Sequence, residues 1–209
     1  MPPAPDAALP QVPRLREIVT RVIADWHACE PEPATWDQAE ARLPGPDHPE
    51  WERLTWRLQL VNTFQWHQED RSRAHDAGDQ VLASVKRTID ASNRRRVQTI
   101  DALDVHLHDL ATATTPPRPD AVLHSETPGS IIDRLTVLGL KRHHVAEALA
   151  DLPAADRPAM QARLDTLVEQ FYDLAGCLAR LPDDITAGHV RLKRYRQVKV
   201  YRDPDTGSL

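Results

Sequence analysis

Glu69, Asp70, Asp101 and Asp104, with His67 and His144, stand in a stretch from Asn62 to His144 where charged residues take places that helices ordinarily give to apolar ones. Residues three and four apart share one helical face. In that period the stretch reads Asn62-Trp66-His67-Glu69-Asp70-Arg73, then Lys86-Asp90-Asn93-Val97-Asp101-Asp104-His108. After a break come Ser125 to Ser130 and Asp133-Arg134-Lys141-His144. Several helices with such faces predict a polar site between them. Mg2+ and Mn2+ take oxygen ligands and retain waters, which makes Glu69, Asp70, Asp101 and Asp104 the candidate metal ligands. The same charges also fit a network of ion pairs, Arg73 with Glu69, Lys86 with Asp90, and Arg134 with Asp133 or Asp101. Imidazole titrates near neutral pH. His67 is therefore the candidate acid/base, with Glu69, Asp70 and Asp104 as catalytic carboxylates beside it. His67 and His144 could instead ligate a metal, although the Glu-x-x-His pairs of di-metal helical proteins do not occur here with the right partners. A lone histidine on such a face also serves as a hydrogen-bonded structural residue. His106, His108 and His143 read as peripheral.

The run Ser125-Glu126-Thr127-Pro128-Gly129-Ser130 opens a helix, with a capping residue followed by Pro at the first helical position. Free N–H groups and the positive dipole end favour an anion there, and Gly129 permits close approach of a ligand to the backbone. The plain alternative is a capped helix whose Glu126 answers its own dipole. The candidate anion- and ligand-binding set is Lys86, Arg87, Asn93, Ser125, Thr127, Gly129, Ser130, Arg134, Lys141 and His144. Trp66 could stack on a base or sugar ring, or fill the core beside Leu58, Val61 and Phe64.

Positioning these groups calls for helices. Val12 to Cys29 carries Leu15, Ile18, Val19, Val22, Ile23 and Trp26 on one side. Glu30 to Pro49 is a Pro- and acid-rich loop with a helical turn around Trp36 to Leu43. Glu50 to Ala77 and Asp79 to Thr112 are long periodic segments. Thr114 to Asp120 is a Pro-rich connector. A helix runs from Thr127-Pro128 to about Leu149, and Pro153 to Arg157 turns. Pro158 to Leu181 is a fourth long helix, which Pro182 ends. After Gly188, apolar and basic residues alternate, which predicts a short helix and an extended arm. The expected fold is all-α. It is a single-domain bundle of four to six helices over 12–187, with a disordered leader over 1–11 and a basic C-terminal arm over 188–209. The pocket should lie between the second, third and fourth long helices.

Composition agrees. Seven Gly in 209 residues are few for an all-β or Rossmann-type chain, and the eighteen Pro fall outside the periodic segments, as helix punctuation does. The net charge is −5. Six basic residues and no acid occur between Arg191 and Arg202, which leaves the rest of the chain at −11. Such an arm can reach phosphates or an acidic partner, or pack on its own acidic body, and the acidic body argues against nucleic acid. Cys29 and Cys177 have no CxxC partner, which suits a reducing cytosol. No apolar run is long enough to span a bilayer, and the first residues lack a signal-peptide core, so the expected location is cytoplasmic. No P-loop, nucleophile elbow, HExxH or Rossmann fingerprint occurs.

The motifs Asn62, Trp66-His67-Gln68-Glu69-Asp70, Lys86-Arg87-Thr88-Ile89-Asp90 with Asn93, Ser125 to Ser130, Asp133-Arg134-Leu135 and Leu140-Lys141 with His144 resemble those of a bacterial family, domain of unknown function 4254. Tyr195 to Pro204 resembles the family's ending, except that Arg202 stands where Asn is expected. The resemblance covers most of the chain past residue 50. It implies a link to bacterial glycan or specialised-metabolite biosynthesis but supplies no reaction. The leading expectation is an enzyme acting on a small phosphorylated metabolite or sugar nucleotide. The alternatives are a non-catalytic partner of a glycosyltransferase or other biosynthetic enzyme, and a helical di-metal oxidase.

Overall fold

The computed structural model describes residues 10–47, 49–73, 78–112 and 116–194. Six helices occur among them: α1 (Val12–His27), α2 (Trp36–Arg42), α3 (Glu50–Ser72), α4 (Asp79–Thr112), α5 (Pro128–Asp151) and α6 (Arg157–Thr186). The only strands among these residues are two short ones, β1 (Val122–Leu123) and β2 (Val190–Arg191). The all-α expectation holds. Residues 1–9 of the expected leader and 195–209 of the basic arm lie outside the described residues.

The apolar stripe predicted for α1 is buried throughout, with Leu15, Val22 and Trp26 fully inaccessible. It meets Leu58, Val61 and Phe64 of α3 and Ile131, Ile132 and Leu135 of α5 in one core. Two glycines set how closely helices approach. A Cβ on Gly139 would stand 2.4 Å from Val19 Cγ1, so α1 runs hard against α5. A Cβ on Gly129 would stand 2.6 Å from Asp104 Oδ1 and 2.9 Å from the Ile100 carbonyl, so α5 begins against α4.

Two predicted boundaries are corrected. Pro182 does not end the last helix, because α6 continues to Thr186. Proline removes one ladder bond, and the further turn buries Leu181 and Ile185 beside Leu178. Nor does a helix follow Gly188: Val190–Arg191 pairs in parallel with Val122–Leu123. Gly188, at φ 70°, turns the chain. Its N–H bonds the Ile185 carbonyl (2.9 Å) and the His189 N–H bonds the Asp184 carbonyl (2.9 Å), a Schellman ending that aims the chain along β1.

Candidate metal centre

The polar stretch does not form one pocket. Part of it is an interior tie between three helices. Asn62 of α3 donates to Asp133 Oδ1 (3.0 Å) and to Thr136 Oγ1 (2.8 Å). Arg96 of α4 donates to both oxygens of the same Asp133 (2.8 and 2.6 Å). Asp133 thus pairs with Arg96, not with Arg134. The Asp133 carboxylate holds the Arg96 guanidinium above its ordinary pKa, against the opposing effect of burial.

The start of α5 is satisfied from within the chain. Gly129 N–H donates to Asp104 Oδ1 (2.7 Å), and Thr127 Oγ1 accepts from Ser130 N–H (3.2 Å). The anion at this helix end is Asp104 itself. Burial pushes the Asp104 carboxyl above the usual carboxylate range, although bonds from Thr127 and Gly129 pull the other way. Exposed ion pairs take up more of the stretch: Lys86 with Asp90 (2.8 Å), Arg73 with Asp70 (2.9 Å), and Arg134 with Glu126. Glu69 accepts from Gln65 (3.0 Å). Arg87, Asn93, Asp101 and Ser125 are exposed. The predicted carboxylate metal set Glu69, Asp70, Asp101 and Asp104 is therefore corrected. These four do not converge, because Asp104 is spent on the α5 N-terminus and Glu69 and Asp70 on neighbours in α3.

His67 and His144 do converge, together with His27, His143 and Glu147, which lie outside the predicted set. His27, His143, His144 and Glu147 each offer one ligand atom, and these atoms all lie within 4.8 Å of one another. Among the described residues no other group of histidine, cysteine or acidic side chains does this. Ring centroids are 4.5 Å apart for His27–His143, 5.2 Å for His27–His144 and 5.3 Å for His143–His144. His67 adjoins them, 5.2 Å from His27 and 5.7 Å from His144. Helical spacing explains the assembly. Val19, Ile23 and His27 step along one face of α1, and Gly139, His143 and Glu147 step along one face of α5. The close approach at Gly139 brings the two rows together, and α3 supplies His67 from the next side. Aromatic partners steady two rings: Trp66 stacks on His144 (4.9 Å, 8° between planes) and Trp26 on His67 (5.2 Å, 29°). Trp66, half buried and packed against the core as expected, is also a wall of this site.

Hydrogen bonds assign two protons. His27 Nδ1 lies 2.7 Å from the Ile23 carbonyl, which can only accept, so Nδ1 carries the hydrogen and the neutral ring keeps its lone pair at Nε2. His144 Nδ1 lies 3.1 Å from Glu147 Oε2, with the same consequence. Glu147 Oε1 lies 3.2 Å from His143 Nε2, within ion-pair reach. The Nε2 atoms of His27, His67 and His144 are all buried and have no hydrogen-bond partner. Burial lowers the pKa of His67, His143 and His144. Neighbouring imidazoles reinforce the shift, while Glu32 opposes it at His67 and Glu147 opposes it at His143 and His144. His143, read as peripheral, is central. His27 lies outside the polar stretch, and its signal in the sequence is the Trp-His pair at Trp26-His27 that recurs at Trp66-His67.

Two hollows flank α5. One, of about 390 Å³ between α1, α5 and α6, is lined by Arg16, Val19, Ile23, Arg142, His143 and Phe171 among others. The other, of about 520 Å³, lies between α4, α5 and α6 where the sequence placed a pocket, and includes Arg96, Arg134, Lys141 and Asp173. No helix is long and apolar enough to cross a membrane among the described residues.

The family model described as Protein of unknown function (DUF4254) matches residues 52–194. That span contains His67, His143, His144 and Glu147, while His27 precedes it. No curated protein and no solved structure matches the chain.

Proposed function

We propose, on the premise that this chain belongs to the family described as Protein of unknown function (DUF4254), that it is a metal-dependent enzyme whose centre is His27, His143, His144 and Glu147. The observation that carries this reading is the pair of buried Nε2 atoms on His27 and His144 that have no hydrogen-bond partner, held with His143 and Glu147 in mutual reach. A buried polar atom without a partner costs free energy, and one divalent ion answers several of them together. Imidazoles with one carboxylate suit zinc, iron or copper better than magnesium, which departs from the Mg2+ or Mn2+ expected from the carboxylates. His27 ends α1, where the negative end of the helix dipole favours a cation. The hydrogen bonds at His27 and His144 Nδ1 fix ring orientation, as outer hydrogen bonds do in metal sites. Glu147 is half exposed and leaves the centre open to solvent on one side, as a catalytic site requires.

A divalent ion in such a site supplies Lewis acidity and a bound water acidic enough to lose its proton near neutral pH. His67 stands beside the cluster, its ring centroid 5.2 Å from that of His27 and 5.7 Å from that of His144, and burial lowers its pKa, so it would offer a neutral imidazole next to the centre. The substrate is a small phosphorylated or otherwise anionic metabolite of a biosynthetic route, a reading supported by Arg16 and Arg142 in the lining of the hollow that includes His143. The free Cys29 and Cys177 suit the cytosol, where we place the protein.

The test is a Co2+ titration of metal-stripped protein followed by visible absorption. One equivalent should bind and give the bands of a low-coordinate site, and His27→Ala or His143→Ala should abolish them. A wild-type chain that takes up neither Co2+ nor Zn2+ at stoichiometric concentration would rule the reading out.

A further inference from the structure

We infer that the hollow between α1, α5 and α6 binds a small organic oxyanion, its charged head held by Arg16 and Arg142 and its apolar body lying along Val19, Ile23 and Phe171 toward His143. This rests on the metal-centre reading for the use made of the ligand. The binding itself is argued from the hollow. At about 390 Å³ its size is that of a small-molecule site.

The two arginines distinguish it. On α1, Arg14 is paired with Glu17 and Glu52 (2.7 Å each), and Arg21 with Asp25 (3.1 Å). Arg16 and Arg142 have no carboxylate partner among the described residues. Instead, Arg142 lies 4.8 Å from the centre of the Phe171 ring, and Arg16 lies 5.3 Å from that of Tyr172. A guanidinium held over a ring spends none of its N–H donors on a carboxylate. Arg142 Nε is buried with no hydrogen-bond partner. Two guanidinium groups lining one hollow without a carboxylate partner match an oxyanion in charge and in hydrogen-bonding chemistry. The walls beside them, Val19, Ile23, Leu164, Val168 and Phe171, favour a ligand with an apolar body over a bare ion. His143 also lines this hollow, so the bound ligand lies beside a residue of the proposed centre.

The other hollow is the weaker candidate. Arg96 there is committed to Asp133 and Arg134 to Glu126, and Asp173 adds a negative charge to its lining.

Calorimetry on the metal-stripped full chain tests the assignment, with phenyl phosphate and phenylacetate as probes and inorganic phosphate as the head alone. Whichever aryl probe binds more tightly identifies the head as phosphate or carboxylate. One aryl probe should bind with 1:1 stoichiometry and at least tenfold more tightly than inorganic phosphate. Arg16→Glu and Arg142→Gln should each weaken it tenfold or more. Arg16 is exposed, so its variant reads binding without disturbing the fold, and circular dichroism checks Arg142→Gln. Failure of both aryl probes to bind, or binding indifferent to both substitutions, overturns the proposal. Co2+ uptake by the same proteins is read separately. Retained Co2+ without probe binding defeats the hollow and spares the metal centre, whereas Arg-dependent probe binding without Co2+ uptake defeats the metal centre and spares the hollow.

Discussion

Glu147 touches two of the three clustered imidazoles and has two roles. It is a candidate ligand, and it orients His144 through Nδ1. Glu147→Gln should weaken Co2+ binding by about 10- to 100-fold, the usual effect of losing an orienting carboxylate, whereas His143→Ala should remove measurable binding. Competition against a chromophoric chelator separates the two outcomes. The histidines also set a pH dependence. Burial lowers the pKa of His67, His143 and His144 from 6.5, so the unfolded chain takes up protons at a higher pH than the folded one. Stability therefore rises with pH in this range. It is fully present above about pH 6.5, falls as pH drops through the folded values, and levels off below them. Urea midpoints of the metal-stripped protein should decline between pH 7.5 and pH 5.5, and a flat profile would refute this. At this scale the sequence was half legible. His67 and His144 could be picked out because they lie on the polar stripe. His143 could not, since adjacent helical residues point about 100° apart and only the seating of α5 between α1 and α3 makes both directions converge. His27 stood at the end of a helix whose apolar side dominated its reading.

Helix pairs position these groups, and two substitutions probe them. Gly139→Ala places a methyl group 2.4 Å from Val19 Cγ1. Overpacking of this kind costs about 1–3 kcal/mol, and the separation it forces between α1 and α5 should also weaken Co2+ binding. Thermal denaturation and metal titration of the one variant read both effects. Arg96→Met leaves Asp133, whose side chain is only 9% exposed, with the Asn62 bond and no cation. Stranding a buried charge costs about 3–5 kcal/mol; with Arg96 itself partly exposed, a loss nearer 2–3 kcal/mol is expected from urea denaturation. Asp133→Asn in the same background should restore part of it. Helix positions were legible because their apolar periods are long. Partners were not, because period fixes a face and not what that face meets: Asp133 could be read against Arg134 on its own helix, but Arg96 reaches it from α4. The strand pair escaped notice because two-residue strands carry no period, and Pro182 misled because burial of Leu181 and Ile185 outweighs one lost hydrogen bond.

Across the whole molecule, the centre draws on α1 and α5, with α3 beside it, so an ion that binds only the folded chain must stabilise all of it. At a free concentration 100 times its dissociation constant the gain is about 2.7 kcal/mol, or roughly 5–10 °C in melting temperature for a chain of this size. Differential scanning calorimetry with and without Zn2+ checks this. The all-α class was legible from composition and period, while the site emerged only from the tertiary arrangement. The family match spans residues 52–194, and His27 lies ahead of it on a helix that reaches α5 where a glycine lets it in. An ion gripped there acts as a clasp across a seam, with one jaw on the first helix and the other on the fifth. Its removal by a chelator should loosen the last turn of the first helix before anything else, so the Ile23 to His27 amides should exchange their hydrogens faster while those buried around Leu58 keep their pace.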